Sequence, residues 1–293
     1  MKVAIYGRVM KTGASAEALQ TLVSKLEKAG VDFFIYEPFL KEVGNKIKIN
    51  SKKTFSSHQD IKGKVKFLFS IGGDGTLLET VTLVRDSGIP VMGINTGRLG
   101  FLSSISKDEI EIAIDAVLKG KYTLDKRTLL ELETKPSKHP EASNFALNEI
   151  AVLKTDTSSM ITIHASLNGK FLNSYWADGL IVATPTGSTA YSLSCGGPIV
   201  MPDSDNFVIT PIAPHNLNVR PVIISSHDVV TLEVVGRNPN FLVSLDSRSE
   251  NVLPSSKLII KKADFLISLV KLDSHDFLST LRNKLMWGAD KRN

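Results

Sequence analysis

The chain has 293 residues, 42% of them hydrophobic and 22% charged, with 35 lysines and arginines against 30 acidic residues; these figures favour two globular domains with a sizeable core. One cysteine, Cys195, excludes an intrachain disulfide, the histidines fall at no zinc-ligand spacing, and no aromatic-and-arginine array points to a nucleic-acid partner. No apolar run approaches the roughly 20 residues of a membrane helix, and Met1–Tyr6 enters a strand pattern without a signal peptide's apolar core, so no membrane partner and a cytoplasmic address are expected.

Val3–Tyr6 reads as a short strand, and Ser15–Ala29 as a helix with Leu19, Leu22, Val23 and Leu26 on one face and Gly30 as its C′ residue. Val31–Tyr36 is a second strand. Residues 40–63 are polar and lysine-rich with weak periodicity, which predicts an irregular insertion or a mobile loop. The apolar run Val65–Ile71 ends in Gly72-Gly73-Asp74-Gly75-Thr76, and Leu77, Leu78, Val81 and Val84 continue as a helix to about Ser87. A strand over Ile89–Ile94, the loop Gly97-Arg98-Leu99-Gly100-Phe101-Leu102 and a helix over Lys107–Leu118 ended by Gly120 complete this part. Strands alternating with helices imply a parallel α/β domain over residues 1–122.

Beyond Lys121 the pattern changes to short β-rich segments. These are Leu129–Glu133, Ala146–Lys154, Met160–Leu167, Lys170–Asn173, Gly179–Thr184, Phe207–Pro211, Val222–Ile224, Val229–Val235, Phe241–Leu245, Lys257–Lys262 and Phe265–Leu272. Asn168-Gly169 is the strongest hairpin signal, and Arg237-Asn238-Pro239-Asn240 is another turn. Many short strands without helices between them imply an all-β, sandwich-like domain over 123–274. His275–Trp287 reads as an amphipathic helix (Phe277, Leu278, Leu281, Leu285) that returns to the first domain.

Two stretches carry chemistry. In Gly72-Gly73-Asp74-Gly75-Thr76, glycines can take φ > 0 and leave no Cβ between backbone N–H groups and an anion, while the following helix start adds unpaired donors. A carboxylate beside phosphate makes sense if it accepts a proton or meets a metal, as phosphoryl transfer requires. The plainer alternative makes Asp74 a helix N-cap. The second stretch runs from Asp178 through Thr184-Pro185-Thr186-Gly187-Ser188-Thr189-Ala190-Tyr191-Ser192 to Pro198. It reads as a strand, a turn and a helix opening with small hydroxyl residues, suited either to close approach of a flat ligand or simply to helix capping.

Together the two stretches resemble the NAD kinase family, whose members transfer the terminal phosphate of ATP to the 2′-hydroxyl of NAD's adenosine ribose. The resemblance extends through Gly97-x-Leu99-Gly100-Phe101, Asn148-Glu149, Pro214-His215, Arg220-Pro221 and Ser244-Leu245-Asp246 to the closing helix, covering roughly residues 65–287. It implies a Rossmann-like α/β domain with a C-terminal β-sandwich, and NAD and ATP as substrates. It further implies a divalent metal (Mg²⁺ or Mn²⁺) accompanying ATP and a homo-oligomer, expected to be a tetramer. Asp74 would take or orient the hydroxyl proton, and Gly72, Gly73, Gly75 and Thr76 would bind phosphate. Phe101 would pack near the adenine, and Asn148 and Glu149 would hold ribose hydroxyls. Asp178 would meet the nicotinamide carboxamide, while Thr186, Thr189, Ala190 and Tyr191 line the dinucleotide pocket, in part from a neighbouring subunit. Asp246 would be a second active-site carboxylate. No protein ligand to the metal is assigned.

Tyr175-Trp176 ahead of Asp178 departs from the polar or basic residues of many bacterial members and leaves the choice between NAD and NADH open; Cys195 stands where alanine is common. Three alternatives share features with this reading. They are a lipid or sugar kinase using the same glycine turn, a non-catalytic dinucleotide sensor, and a serine hydrolase built on Ser188 or Ser192. The last lacks a Gly-x-Ser-x-Gly elbow, and the chain also lacks a Walker A loop and a Gly-x-Gly-x-x-Gly fingerprint.

Overall fold

Residues 1–8, 13–50, 53–97, 99–136, 144–155, 159–236, 239–272 and 276–287 are described by the computed structural model. They fall into two units, Met1–Lys126 with Ile267–Asn293, and Arg127–Leu266. Arg98, Arg237, Asn238 and His275, expected in a loop, a turn and the last helix, lie outside the described residues.

In the first unit, β1 (Lys2–Gly7), β2 (Asp32–Tyr36), β3 (Thr54–Phe55), β4 (Phe67–Gly72), β5 (Val91–Asn95) and β6 (Ile105–Ser106) form an all-parallel sheet. Its order is β5-β4-β1-β2-β3, with β6 also on β5. Every residue of β4 is buried, as expected of a central parallel strand covered on both faces. The helices are α1 (Ala14–Lys28), α2 (Glu37–Val43), α3 (His58–Ile61), α4 (Asp74–Val84) and α5 (Ile110–Leu118). Leu19, Leu22, Val23 and Leu26 of α1 are fully buried, in keeping with their spacing on one helix face. Gly30 sits at φ 64°. Its N–H reaches the Glu27 carbonyl and the Val31 N–H that of Leu26, the paired bonds of a glycine-closed helix end.

The segment 40–63 differs from expectation. The end of α2, a 3₁₀ turn over Gly44–Lys46, β3 and α3 occupy most of it, and Val43, Phe55 and Ile61 are buried. Several very short elements follow one another there, so no single hydrophobic period runs long enough to be read from the sequence. His58 of α3 is also buried and meets the Leu83 carbonyl of α4 at 2.7 Å.

The second unit holds β7 (Thr123–Lys135, from Arg127 onward), β8 (Phe145–Ala146), β9 (Glu149–Leu153), β10 (Ile161–Leu167), β11 (Lys170–Ala177), β12 (Gly179–Ala183), β13 (Asn206–Ile212), β14 (Val222–Ser225), β15 (Val230–Val235), β16 (Phe241–Leu245), β17 (Arg248–Val252) and most of β18 (Lys257–Lys271). Two antiparallel arrays, β14-β13-β12-β9-β16-β17 and β11-β10-β15-β18, enclose one core. Ile150, Val152, Leu180, Val182 and Phe207 of the first meet Ile163, Tyr175, Leu232, Val234 and Leu258 of the second. Alternate residues of each strand face inward, which makes this a β-sandwich. Asn168 (φ 50°) and Gly169 (φ 77°) turn β10 into β11, the two-residue hairpin their sequence predicts. β17 was not predicted, because Arg248-Ser249-Glu250-Asn251 carries no apolar alternation. β18 is one strand where two were expected.

α6 (Tyr191–Ser194) is a single turn, and α7 (Phe277–Leu285) is capped by Asp276, whose carboxylate accepts the Ser279 N–H at 2.8 Å. α7 belongs to the first unit, where the Phe277 and Phe101 rings lie 6.1 Å apart. Among the described residues no helix is long and apolar enough to cross a membrane.

Candidate active site

The glycine turn of the first unit lies where β4 ends and α4 begins, at the carboxyl edge of the parallel sheet, the usual ligand edge of such folds. Asp74 does not cap its helix: Gly73 occupies the N-cap position, and no side-chain cap bond is made there. The Asp74 side chain reaches the loop after β5 instead. Its Oδ2 accepts the Phe101 N–H at 2.8 Å, and its Oδ1 accepts those of Leu102 at 3.0 Å and Ser103 at 2.8 Å. An ionised carboxylate offers about four lone pairs. Among the described residues three are taken by backbone donors, and one on Oδ2 is left.

The four motif residues around Asp74 divide by what a side chain would meet. At Gly72 (φ 155°) a Cβ would stand 2.3 Å from the Thr76 hydroxyl, so Gly72 is required by the protein's own packing. At Gly73 and Gly75 a Cβ would meet nothing among the described residues within 4 Å. Their bareness serves no internal contact, which leaves an open flank beside Asp74. Thr76 packs its side chain over Gly72.

The loop that holds Asp74 contains residues to which the motif reading gave no role. A Cβ on Gly100 would lie 1.9 Å from Asp74 Oδ1, so only glycine lets the carboxylate seat. Asn95, buried at the end of β5, accepts the Gly97 N–H at 2.7 Å and turns the chain into the loop. A Cβ on Gly93 would strike Ser103 Cα at 2.7 Å, so the loop crosses β5 directly on that glycine. The glycines at 93, 97 and 100 were the available signal.

The second unit gathers Asn148, Glu149, Asp246 and Tyr191 at one end of its six-stranded array. Asp246 takes a left-handed conformation (φ 53°) in the turn between β16 and β17. Its Oδ2 accepts the Leu147 N–H at 2.9 Å, and its Oδ1 those of Asn148 at 2.8 Å and Glu149 at 3.2 Å. Burial pushes its pKa up, against the pull of these three donors and of Arg248. Glu149 is 9% exposed, and its Oε2 has no hydrogen-bond partner among the described residues. Burial first and the neighbouring Asp246 second raise its pKa to about 8, and the Tyr191 N–H pulls the other way.

Thr184 ties this corner to the second motif. Its hydroxyl donates to the Leu147 carbonyl at 2.6 Å and accepts the Gly187 N–H at 3.1 Å, while a Cβ on Gly187 would fall 2.1 Å from the Asn148 carbonyl oxygen. The stretch after Pro185 is not one helix but a 3₁₀ turn, Thr186–Thr189, followed by α6. Ala190 joins the two, outside helical conformation. Thr186 accepts from the guanidinium of Arg127 at 3.1 Å; Arg127 is buried and carried no sequence signal. The Thr189 hydroxyl returns to the Thr186 carbonyl at 3.3 Å, and Tyr191 is 40% exposed. Asp178 pairs with Lys154 at 2.6 Å, another partner the sequence did not mark. The serines of the hydrolase alternative are committed elsewhere. Ser188 donates to the Pro185 and Val200 carbonyls and accepts the Val200 N–H, and Ser192 bonds Thr210 at 2.8 Å, both fully buried.

Comparison with known proteins now decides the family. Residues 14–122 match the ATP-NAD kinase N-terminal domain and residues 147–272 the ATP-NAD kinase C-terminal domain. The chain is 50% identical to the NAD kinase of Flavobacterium psychrophilum over 100% of both chains. It is 49% identical to that of Cytophaga hutchinsonii over 99% of each. The chain belongs to the NAD kinase family. Among solved NAD kinase structures, that of the Archaeoglobus fulgidus enzyme in complex with ATP superposes with a TM-score of 0.77 at 25% identity, covering 98% of this chain and 99% of that one. The yeast NADH kinase, complexed with NADH, shares the fold with a TM-score of 0.89 at 23% identity, covering 99% of this chain and 88% of that one.

Family membership also raises the metal question. Among the described residues no three His, Cys, Asp or Glu side chains group to hold an ion, and three of the roughly four lone pairs of Asp74 are engaged by backbone donors. The described residues therefore offer no metal cage of their own.

Proposed function

We propose that this chain is an NAD kinase, transferring the terminal phosphate of ATP, or of another phosphoryl donor, to the 2′-hydroxyl of NAD's adenosine ribose to give NADP. The observation that carries the reading is the seat of Asp74. Three backbone N–H groups fix its carboxylate, one Oδ2 lone pair is left by the described residues, and the bare Gly73 and Gly75 adjoin it. A carboxylate held this way can accept the hydroxyl proton without reorienting, and positioning supplies most of the rate in phosphoryl transfer. Gly72 and Thr76 shape the turn, and phosphate oxygens meet it at the helix start beside Gly73 and Gly75. Phe101 lies against the adenine.

In the second unit Asn148 and Glu149 hold a ribose diol, Asp178 meets the carboxamide through the oxygen not paired with Lys154, and Thr186, Thr189, Ala190 and Tyr191 border the dinucleotide. Asp246 is better supported as the residue that positions Asn148 and Glu149 than as a second carboxylate on the substrate, because it is held by the N–H groups of residues 147–149 at a buried place, whereas the equally held Asp74 borders the bare Gly73 and Gly75. Mg²⁺ or Mn²⁺ would come with ATP and supply neutralisation of phosphate charge, in line with the habit of Mg²⁺ of relying on substrate phosphates. A homo-oligomer, taken to be a tetramer, fits the exposed Phe171, Trp176, Ile223 and Val235 on strands of the second unit. A cytoplasmic location completes the proposal.

The test is incubation of the purified protein with ATP, Mg²⁺ and NAD, with the product identified by mass. The expected product is NADP phosphorylated at the 2′ position, and NAD carrying 2′-deoxyadenosine should bind without reacting. Phosphorylation of that analogue, or of a lipid or sugar in place of NAD, would overturn the reading. Light scattering that finds an active monomer would remove the oligomer from it.

A further inference from the structure

The corner built by Leu147, Asn148 and Glu149 carries two carboxyl groups and distributes its donors unequally between them. All three N–H groups of the corner go to Asp246, at 2.9, 2.8 and 3.2 Å. Glu149, whose own N–H is one of these, keeps none for its side chain. That side chain is 9% exposed, and among the described residues its Oε2 has no partner and the only donor reaching its carboxyl is the Tyr191 N–H.

The charged and titratable groups facing it come from three directions. Asp246 approaches from the β16–β17 turn with Arg248 beside it, and Tyr191 and Cys195 from α6. Asp178 stands beyond Tyr191 with its charge answered by Lys154 at 2.6 Å. Among the described residues no lysine, arginine or histidine pairs with Glu149. Two ionised carboxylates in one corner repel, and the proton belongs on the one with fewer donors. Asp246 has three N–H groups and an arginine nearby; Glu149 has one N–H.

We infer that Glu149 meets the ribose of NAD as a neutral carboxylic acid that donates one hydrogen bond, while Asp246 carries the negative charge of this corner. The inference rests on the reading that Asn148 and Glu149 clamp the ribose. Its chemistry suits a diol. Each ribose hydroxyl both donates and accepts, and a protonated carboxyl offers one O–H donor with acceptor capacity left over, where a carboxylate could only accept. The raised pKa of Glu149, with burial as its first cause, agrees with this assignment. Protons balance simply: near neutral pH the O–H is already in place and NAD binds without proton exchange. Above about pH 8, where Glu149 has lost its proton, binding takes up one proton from solvent.

The experiment measures NAD affinity from pH 6.5 to 9.5 by calorimetry, without ATP, for the wild type, E149Q and E149A. Wild-type affinity should hold steady to about pH 8 and then weaken toward about tenfold per pH unit, the slope of one proton taken up. Repeating the titration at high pH in buffers of different ionisation enthalpy should show that uptake directly, with no variant needed. The uncharged amide introduced by E149Q mimics the neutral acid, so this variant should bind NAD about tenfold more tightly than E149A, and without the weakening at high pH. Flat wild-type affinity to pH 9.5 with no proton uptake overturns the inference, as does E149Q binding no better than E149A. If E149A binds NAD like the wild type, the ribose clamp itself is wrong and the inference falls with it.

Discussion

Asp74 and Asp246 are held in the same way in different units. Each carboxylate accepts three consecutive backbone N–H groups, those of residues 101–103 for Asp74 and 147–149 for Asp246. The surroundings separate them. Asp74 opens a helix that favours negative charge at its first turn, and it borders two glycines with nothing against them among the described residues. Asp246 sits in a strained turn with burial raising its pKa and a second carboxyl beside it. One backbone device thus holds a carboxylate beside bare glycines in the first case and braces residues 147–149 in the second. Hydrogen bonding alone does not identify a reacting group; what lies on its free side does.

The largest expected effect is on Asp74. Asp74→Asn should lower NADP formation by about 10²–10⁴-fold while NAD still binds, which is the usual loss on removing a proton acceptor. The new amide also sets a donor against at least one loop N–H, so thermal unfolding must be followed in parallel. A variant keeping more than half the wild-type kcat would remove Asp74 from the reaction. Gly100→Ala attacks the same seat without touching the carboxylate. Its Cβ would claim space 1.9 Å from Asp74 Oδ1, so kcat should fall by about ten- to a hundredfold, as misplacement of a reacting group does. Wild-type kcat in this variant would show that the three N–H bonds do not matter to the rate.

Asp246→Ala should act on stability and on KM for NAD more than on kcat. Three N–H groups lose their acceptor, a cost of about 2–4 kcal/mol by the usual penalty for unmade bonds, read by denaturant unfolding. A kcat loss as large as that of Asp74→Asn, with KM unchanged, would make Asp246 a reacting group after all. A smaller effect separates the neighbouring acid. Because the folded-state pKa of Glu149 is raised from 4.5 to about 8, its protonation stabilises the fold below pH 4.5, and that contribution fades as pH rises to about 8. E149Q should therefore gain in stability on the wild type as pH rises across this window. Parallel stability profiles would contradict the shift. Least of all, Gly73→Ala should leave stability within about 1 kcal/mol, since its Cβ meets no described atom, yet raise KM for ATP. An unchanged KM would close the open flank as a phosphate site.

The sequence alone determined the two-part architecture. An alternation of strand and helix periods cannot build an all-β domain, and short strands with Asn168-Gly169 between them cannot build a parallel one. It also marked the glycine turn and the Asp178–Pro198 block, because close backbone approach leaves a compositional trace in glycines and small hydroxyls. It did not reveal the partners. Arg127 reaches Thr186 across 59 positions, Lys154 meets Asp178, and Asp246 grips residues 147–149 nearly a hundred positions away. Such pairings depend on which strand lies beside which, and a single side chain carries no record of that. The same limit hid the order in 40–63, where each element is shorter than the period that would betray it. The uneven sharing of three N–H groups between two acids, on which the protonation of Glu149 turns, is likewise a property of the folded turn and of no residue in it.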